Sequence, residues 1–170
     1  GSAGSGKTTF ARDLAGGVGV THIELDAIHW LPDWQPRNRD EFRNIVDQAT
    51  SEERWVVDGN YGAVRDIVWP RATTVFWLNF PFSLVFWRVL TRTIGRVFRR
   101  EELFSGNRES FQGAFLSRDS LLWWVITTHR RRNQQFRTLF DSGVFPTLTM
   151  LELNSPSQAR DYLESLKGLT

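Results

Sequence analysis

At 170 residues, 41% of them apolar, the chain is long enough for one domain with a sizeable core and too apolar to stay disordered. It has no cysteine, which excludes disulfides and cysteine-ligated zinc and makes a reducing cytoplasm the expected location; no apolar run approaches the roughly 20 residues that span a bilayer. The formal net charge is only +2, yet between Arg88 and Arg137 eleven arginines stand against four acids, so this half either faces a negative partner or is a solvated helical surface.

The chain opens on GSAGSGKTTF, which fills the spacing G-x-x-x-x-G-K-S/T with Gly1, Gly6, Lys7 and Thr8. The glycines and serines alone would suit a flexible linker, but Lys7-Thr8-Thr9 followed by Phe10, Leu14 and Val18 at helical spacing would not. A helix is expected over 7–15. VTHIEL (20–25) reads as a strand ending at Asp26, and HWLPDWQPRN (29–38) as an aromatic loop interrupted by proline. Asn38 with Glu41 forms a capping box that opens a helix with Phe42, Ile45, Val46 and Ala49 on one face.

RWVVDG (54–59) is a second short strand, closing on Asp58, and TTVFWLN (73–79) a third, with a turn and brief helix between them. Pro81 begins a helix that runs to about Arg99. Turn chemistry and mixed charge over 99–113 suit a mobile loop; a long helix is expected over 117–141, stopped by Gly143. FPTLTMLEL (145–153) supplies a fourth strand. Ser155 to Gln158 starts a terminal helix that packs through Ala159, Tyr162, Leu163 and Leu166. Alternating strands and helices predict a parallel sheet covered on both faces. A loop of the opening type follows a buried strand, so a short apolar strand is expected upstream of Gly1.

The opening loop suggests its own chemistry. Glycines at 1, 4 and 6 let backbone N–H groups converge on a phosphate, and the helix that begins near Lys7 points its positive end at the same place. Lys7 would bridge the β- and γ-phosphates of ATP and Thr8 would ligate Mg2+, with Ser5 and Thr9 as further donors. Asp58 would hold Mg2+ through water, or else form the turn before Gly59. Asp26 would orient or deprotonate an acceptor hydroxyl, or else cap a turn.

These segments together (the loop, HIELD, VVDGNY, FWLNFP and the arginine-rich helix after it) resemble the adenylate-kinase-like nucleoside and nucleotide kinases. LDAIHWLPDW with DGNYG and FWRVL resembles in particular the bacterial DNA topology modulation proteins, over most of the 170 residues. The resemblance implies an α/β fold of the three-layer P-loop NTPase kind. Its five-stranded parallel sheet would have the order 2-3-1-4-5, helices on both faces and a lid at about 96–115, all in one domain over 1–170. It also implies that Arg88 lies at the base of the lid against the adenine and that Arg92, one turn later on the same face, contacts phosphate. The stretch from about Asn154 to Gln158 would contact the base. The chain departs from the kinases after Asp58, where Gly59-Asn60-Tyr61-Gly62 replaces the segment whose arginine holds the monophosphate. Arg37 or Arg39 would substitute for it, or Trp30, Trp34 and Tyr61 would wall a base or sugar, unless they simply pack.

The function expected on this reading is an ATP- and Mg2+-dependent kinase acting on a nucleoside, nucleotide or other small acceptor. Lys7, Asp26, Arg88 and Arg92 would be catalytic, and Gly1, Gly4, Ser5, Gly6, Lys7, Thr8, Thr9, Arg88 and Arg92 would hold the nucleotide. Thr8 and Asp58 would hold the metal. The alternatives are a nucleotide-dependent nucleic-acid partner, using Arg130-Arg131-Arg132 with Trp123, Trp124 and Phe136, and an ATP switch without transfer.

Overall fold

The computed structural model describes residues 1–99, 102–107 and 121–167. Helix α1 (Lys7–Val18) runs three residues beyond its expected end, and Gly19, in the left-handed conformation, closes it. Strand β1 (Thr21–Glu24) stops one residue before the expected strand does, because Leu25 turns inward and opens a short helix α2 (Leu25–His29). Asn38 caps α3 (Arg39–Ala49): its side-chain oxygen accepts from the amides of Asp40 at 2.9 Å and Glu41 at 3.4 Å, and those two acids sit where the helix dipole favours them. Strand β2 (Trp55–Asp58), helix α4 (Arg65–Arg71) and strand β3 (Thr74–Leu78) follow as the sequence indicates.

Helix α5 (Phe82–Arg99) buries Val85, Val89 and Thr93, each one turn after the last. Helix α6 spans Leu121–Asp141, and the expected residues 117–120 lie outside the described chain. Strand β4 (Thr149–Leu153) is shorter than the apolar run that announced it. Helix α7 (Pro156–Lys167) opens on a reciprocal cap, in which Gln158 N–H donates to Ser155 Oγ at 3.2 Å and Asn154 N–H to Gln158 Oε1 at 2.7 Å.

The single five-stranded sheet of a P-loop NTPase is not what these elements build. Strand β1 pairs in parallel with β2, Thr21 opposite Trp55 through Glu24 opposite Asp58. Strand β3 pairs in parallel with β4, Thr74 opposite Thr149 through Leu78 opposite Leu153. These are two separate two-stranded sheets, so the order 2-3-1-4-5 is corrected to two pairs, and β2 and β3 each have a strand on one side only.

Each pair has its own core. Ile23, Leu25, Phe42, Val46, Val64 and Val68 pack around the first, while Phe10, Leu14, Leu78, Phe80, Val85, Val89 and Leu153 pack around the second. Bidentate pairing of Arg43 with Asp66, at 2.7–2.8 Å, ties α3 to α4. Between the cores lies a cavity of about 490 Å³ whose walls include β2 and β3.

The kinase expectation falls with the sheet. In a phosphotransferase of that fold the phosphate loop leaves a central strand gripped on both sides, which holds loop and acids rigidly enough for transfer. Among the described residues no strand joins β2 to β3. ATP-dependent phosphoryl transfer, with its adenylate-kinase-like and Walker-loop vocabulary, and the ATP-switch alternative are therefore withdrawn. Half of the expected lid at 96–115, namely 100–101 and 108–115, lies outside the described residues, and 96–99 belong to α5. Among those residues, no helix is long and apolar enough to cross a membrane.

Candidate functional site

The opening loop is curled. The Ser2 carbonyl accepts from Ser5 Oγ at 2.9 Å, from the Ser5 amide at 3.3 Å and from Lys7 Nζ at 2.9 Å, so the backbone closes around the lysine head. Gly4 and Gly6 sit at φ 78° and 86°, the left-handed conformation that glycine adopts without strain. Gly6 is the N-cap of α1, and no side chain caps that end. The helix therefore presents its first amides and the positive end of its dipole to the space above the loop.

Cations gather there. Burial pushes the Lys7 ammonium below the usual lysine range; the carboxylates of Asp26 and Asp58 pull it back up, while Arg92 and Arg132 push it down again. Arg88 reaches the loop from α5: its Nη1 lies 3.6 Å from where a Cβ on Gly6 would stand, and its guanidinium lies over the Phe80 ring at 5.7 Å. Of the other expected ligands, Ser5 is buried within the loop, Thr9 is exposed and Arg92 is exposed one turn beyond Arg88.

The strand ends supply the acids. Thr8 Oγ1 donates to Asp58 Oδ2 at 2.5 Å, and His22 Nε2 lies 3.2 Å from the other oxygen, so Asp58 is buried but held on both sides. Opposite Asp58 in the register stands Glu24, which sequence reasoning passed over. Burial raises the Glu24 carboxyl above the usual range, the neighbouring charges of Asp58 and Asp26 raise it further, and His22 and a hydrogen bond from Thr8 lower it.

Asp26 is not at a strand end. It lies in the first turn of α2, where the Tyr61 hydroxyl donates to its Oδ1 at 2.5 Å. Burial raises the Tyr61 phenol most, and the bond to Asp26 adds to that. Asp26 therefore joins α2 to the segment after β2, and its carboxylate reaches Lys7 only through its charge.

The aromatic loop packs on itself. Trp30 meets Trp34 edge-on at 5.7 Å, and His29 packs against Tyr61 at 4.6 Å and Phe42 at 5.1 Å. Arg37 is committed to holding this loop, donating to the Ile28 carbonyl at 2.8 Å and pairing with Glu41. Asn107 is buried beneath the loop: it accepts from the Trp34 amide at 2.9 Å and donates to the Leu31 carbonyl at 2.8 Å. In the arginine run on α6, Arg130 and Arg131 face solvent and Arg132 is half-buried. Phe136 is buried there and Trp123 is exposed.

Magnesium takes hard oxygen donors and is commonly held by one or two carboxylates together with ligand phosphates and water. Thr8, Asp58 and Glu24 fit that donor set. Among the described residues, no three His, Asp or Glu side chains converge to hold a metal unaided, so any cation here would share its ligands with the anion. Compared with protein-family models, with curated proteins and with solved structures, the chain gives no match, and its resemblance to the kinases rests on the motifs alone.

Proposed function

We propose that residues 1–8, with Arg88, form a binding site for a small phosphate-bearing anion, and that Thr8, Asp58 and Glu24 would hold a Mg2+ ion bound with it. The observation that carries it is a meeting of opposites at the uncapped start of α1: a half-buried cation, Lys7, beside a threonine hydroxyl already bonded to a buried carboxylate. Amides and Lys7 would receive the phosphate oxygens. Magnesium, when bound, supplies charge that neutralises Glu24 and Asp58, the pair that otherwise repel. The expected cofactor pair, ATP with Mg2+, enters as a ligand to be tested, and no transfer step is attached to it. A compact anion suits the site better than a polynucleotide, because Lys7 and Arg88 converge on one loop and the charge of Arg132 is felt there too, while Arg130 and Arg131 are exposed on α6.

Calorimetric titration with inorganic pyrophosphate, with and without Mg2+, tests the reading. Binding should be measurable, strengthened by Mg2+, and weakened on the order of tenfold to a hundredfold by Lys7→Ala, the loss of one charge-assisted contact. Equal affinity in wild type and Lys7→Ala would refute it.

A further inference from the structure

Helix α5 turns one row of side chains inward and a second, also apolar, outward. The inward row is Val85, Val89 and Thr93, which are buried. Roughly half a turn around the helix stand Trp87, Thr91, Ile94 and Phe98, at the i, i+4, i+7 and i+11 spacing of a single face. All four are exposed, Trp87 by 63% and Phe98 by 83%. Thr91 brings no unmet hydroxyl to this stripe, because its Oγ1 donates to the Trp87 carbonyl at 2.9 Å. Single exposed apolar residues are ordinary, but two aromatic rings and an isoleucine aligned on one face mark a surface that meets something.

Beside the apolar stripe runs a row of arginines, Arg88, Arg92, Arg96 and Arg99, three or four residues apart. Arg88 serves the anion site; Arg92 and Arg99 are exposed. The helix contains no acid. Helix α6 packs on α5, with His129 edge-on to Phe82 at 5.4 Å, and adds four arginines against one acid, Asp141, its last residue. Trp123 and Ile126 are exposed on α6 as well.

A partner for this face must therefore be anionic and offer hydrocarbon. A second copy of the chain would set one arginine row against another, with no acids on α5 to answer them. A polynucleotide answers arginines and stacks on aromatic rings, but gives Ile94, between the rings, no hydrocarbon to enter. An anionic bilayer surface offers both, with phosphates for the arginines and an acyl boundary for the apolar stripe. Among the described residues no helix is long and apolar enough to cross a membrane, so α5 would lie in the plane of the interface.

We propose that the outward face of α5 docks on anionic lipid bilayers, with Trp87, Ile94 and Phe98 entering the boundary between headgroups and acyl chains and Arg92 and Arg99 meeting headgroup phosphates. This surface goes beyond the anion site and is tested without any soluble phosphate ligand.

Co-sedimentation of the 170-residue protein with vesicles of equal parts phosphatidylglycerol and phosphatidylcholine, beside vesicles of phosphatidylcholine alone, is the test. Binding to the anionic vesicles should be tighter by about tenfold or more and should weaken as salt is raised. Trp87→Ser combined with Phe98→Ser should weaken it on the order of tenfold or more, with the melting temperature unchanged because both side chains are exposed. Phe98→Ser alone, at the more exposed position, should weaken it by about threefold or more and keeps the test open if the double variant folds poorly. No binding to anionic vesicles, equal binding to neutral ones, or variants that bind as wild type does would overturn the proposal. So would a single-stranded oligonucleotide bound through Trp87 and Phe98 in place of the vesicles, which would assign the face to nucleic acid. A dimer that the same variants dissolve, without vesicle binding, would assign it to a second copy and overturn the proposal equally.

Discussion

Glu24 and Asp58 are register partners at the C-terminal ends of two parallel strands, so two carboxylates stand side by side on one face of the sheet. The Glu24 carboxyl is raised by burial first and by Asp58 and Asp26 next. A group whose pKa is raised on folding contributes stability below its unfolded pKa and loses that contribution as pH climbs through the folded value. Asp58 beside Glu24 is therefore a repulsion that grows as pH climbs through the raised Glu24 value. Glu24→Gln should stabilise the protein at pH 7 by about 0.5 kcal/mol, the scale of a cross-strand charge pair. The gain should vanish below the ordinary glutamate range, while affinity for Mg2+ falls. Thermal melts at pH 3.5 and pH 7 check this; a variant less stable than wild type at pH 7 would count against the pair as described.

The acid at the end of β1 shows where sequence reading stops. HIELD reads as one strand running to Asp26, because alternation cannot locate the residue at which a strand gives way to a helix. Burial of Leu25 decides it, and that burial depends on Phe42 and Val64, which lie far along the chain. The acid at the strand end is consequently Glu24, and Asp26 is turned toward Tyr61. By contrast, the curl of the opening loop and the Asn38 cap were legible, since each follows from chemistry within a few residues. The separation of the two sheets was not legible, because strand pairing is a long-range outcome that local pattern does not fix.

Gly4 couples the loop to α5. A Cβ there would lie 2.4 Å from Val89 Cγ2 and 2.9 Å from the Val85 carbonyl oxygen, at a φ of 78° that other residues rarely adopt. Gly4→Ala should destabilise the protein by roughly 1–3 kcal/mol. It should also weaken anion binding, because the loop must lift away from the helix that carries Arg88. Urea unfolding measures the first effect; a midpoint equal to that of wild type would show that the loop does not rest on α5.

Asn107 latches the tryptophan loop. Asp33 and Trp34 both sit at positive φ, 59° and 55°, and the Trp34 amide has Asn107 Oδ1 as its acceptor. Asn107→Ala should leave that amide without its partner, for a loss of about 1–3 kcal/mol. Hydrogen exchange at Trp34 should accelerate while exchange within α3 stays as it was. Unchanged exchange at Trp34 would mean that the turn is held by other contacts.

The most direct test of the anion site is backbone amide NMR during titration with pyrophosphate and Mg2+. The amides of Gly4 to Thr8 should move first and furthest, and Lys7→Ala should displace that movement to pyrophosphate concentrations on the order of tenfold to a hundredfold higher. Shifts confined to Arg130–Arg132, or none in the opening loop, would contradict an anion site there.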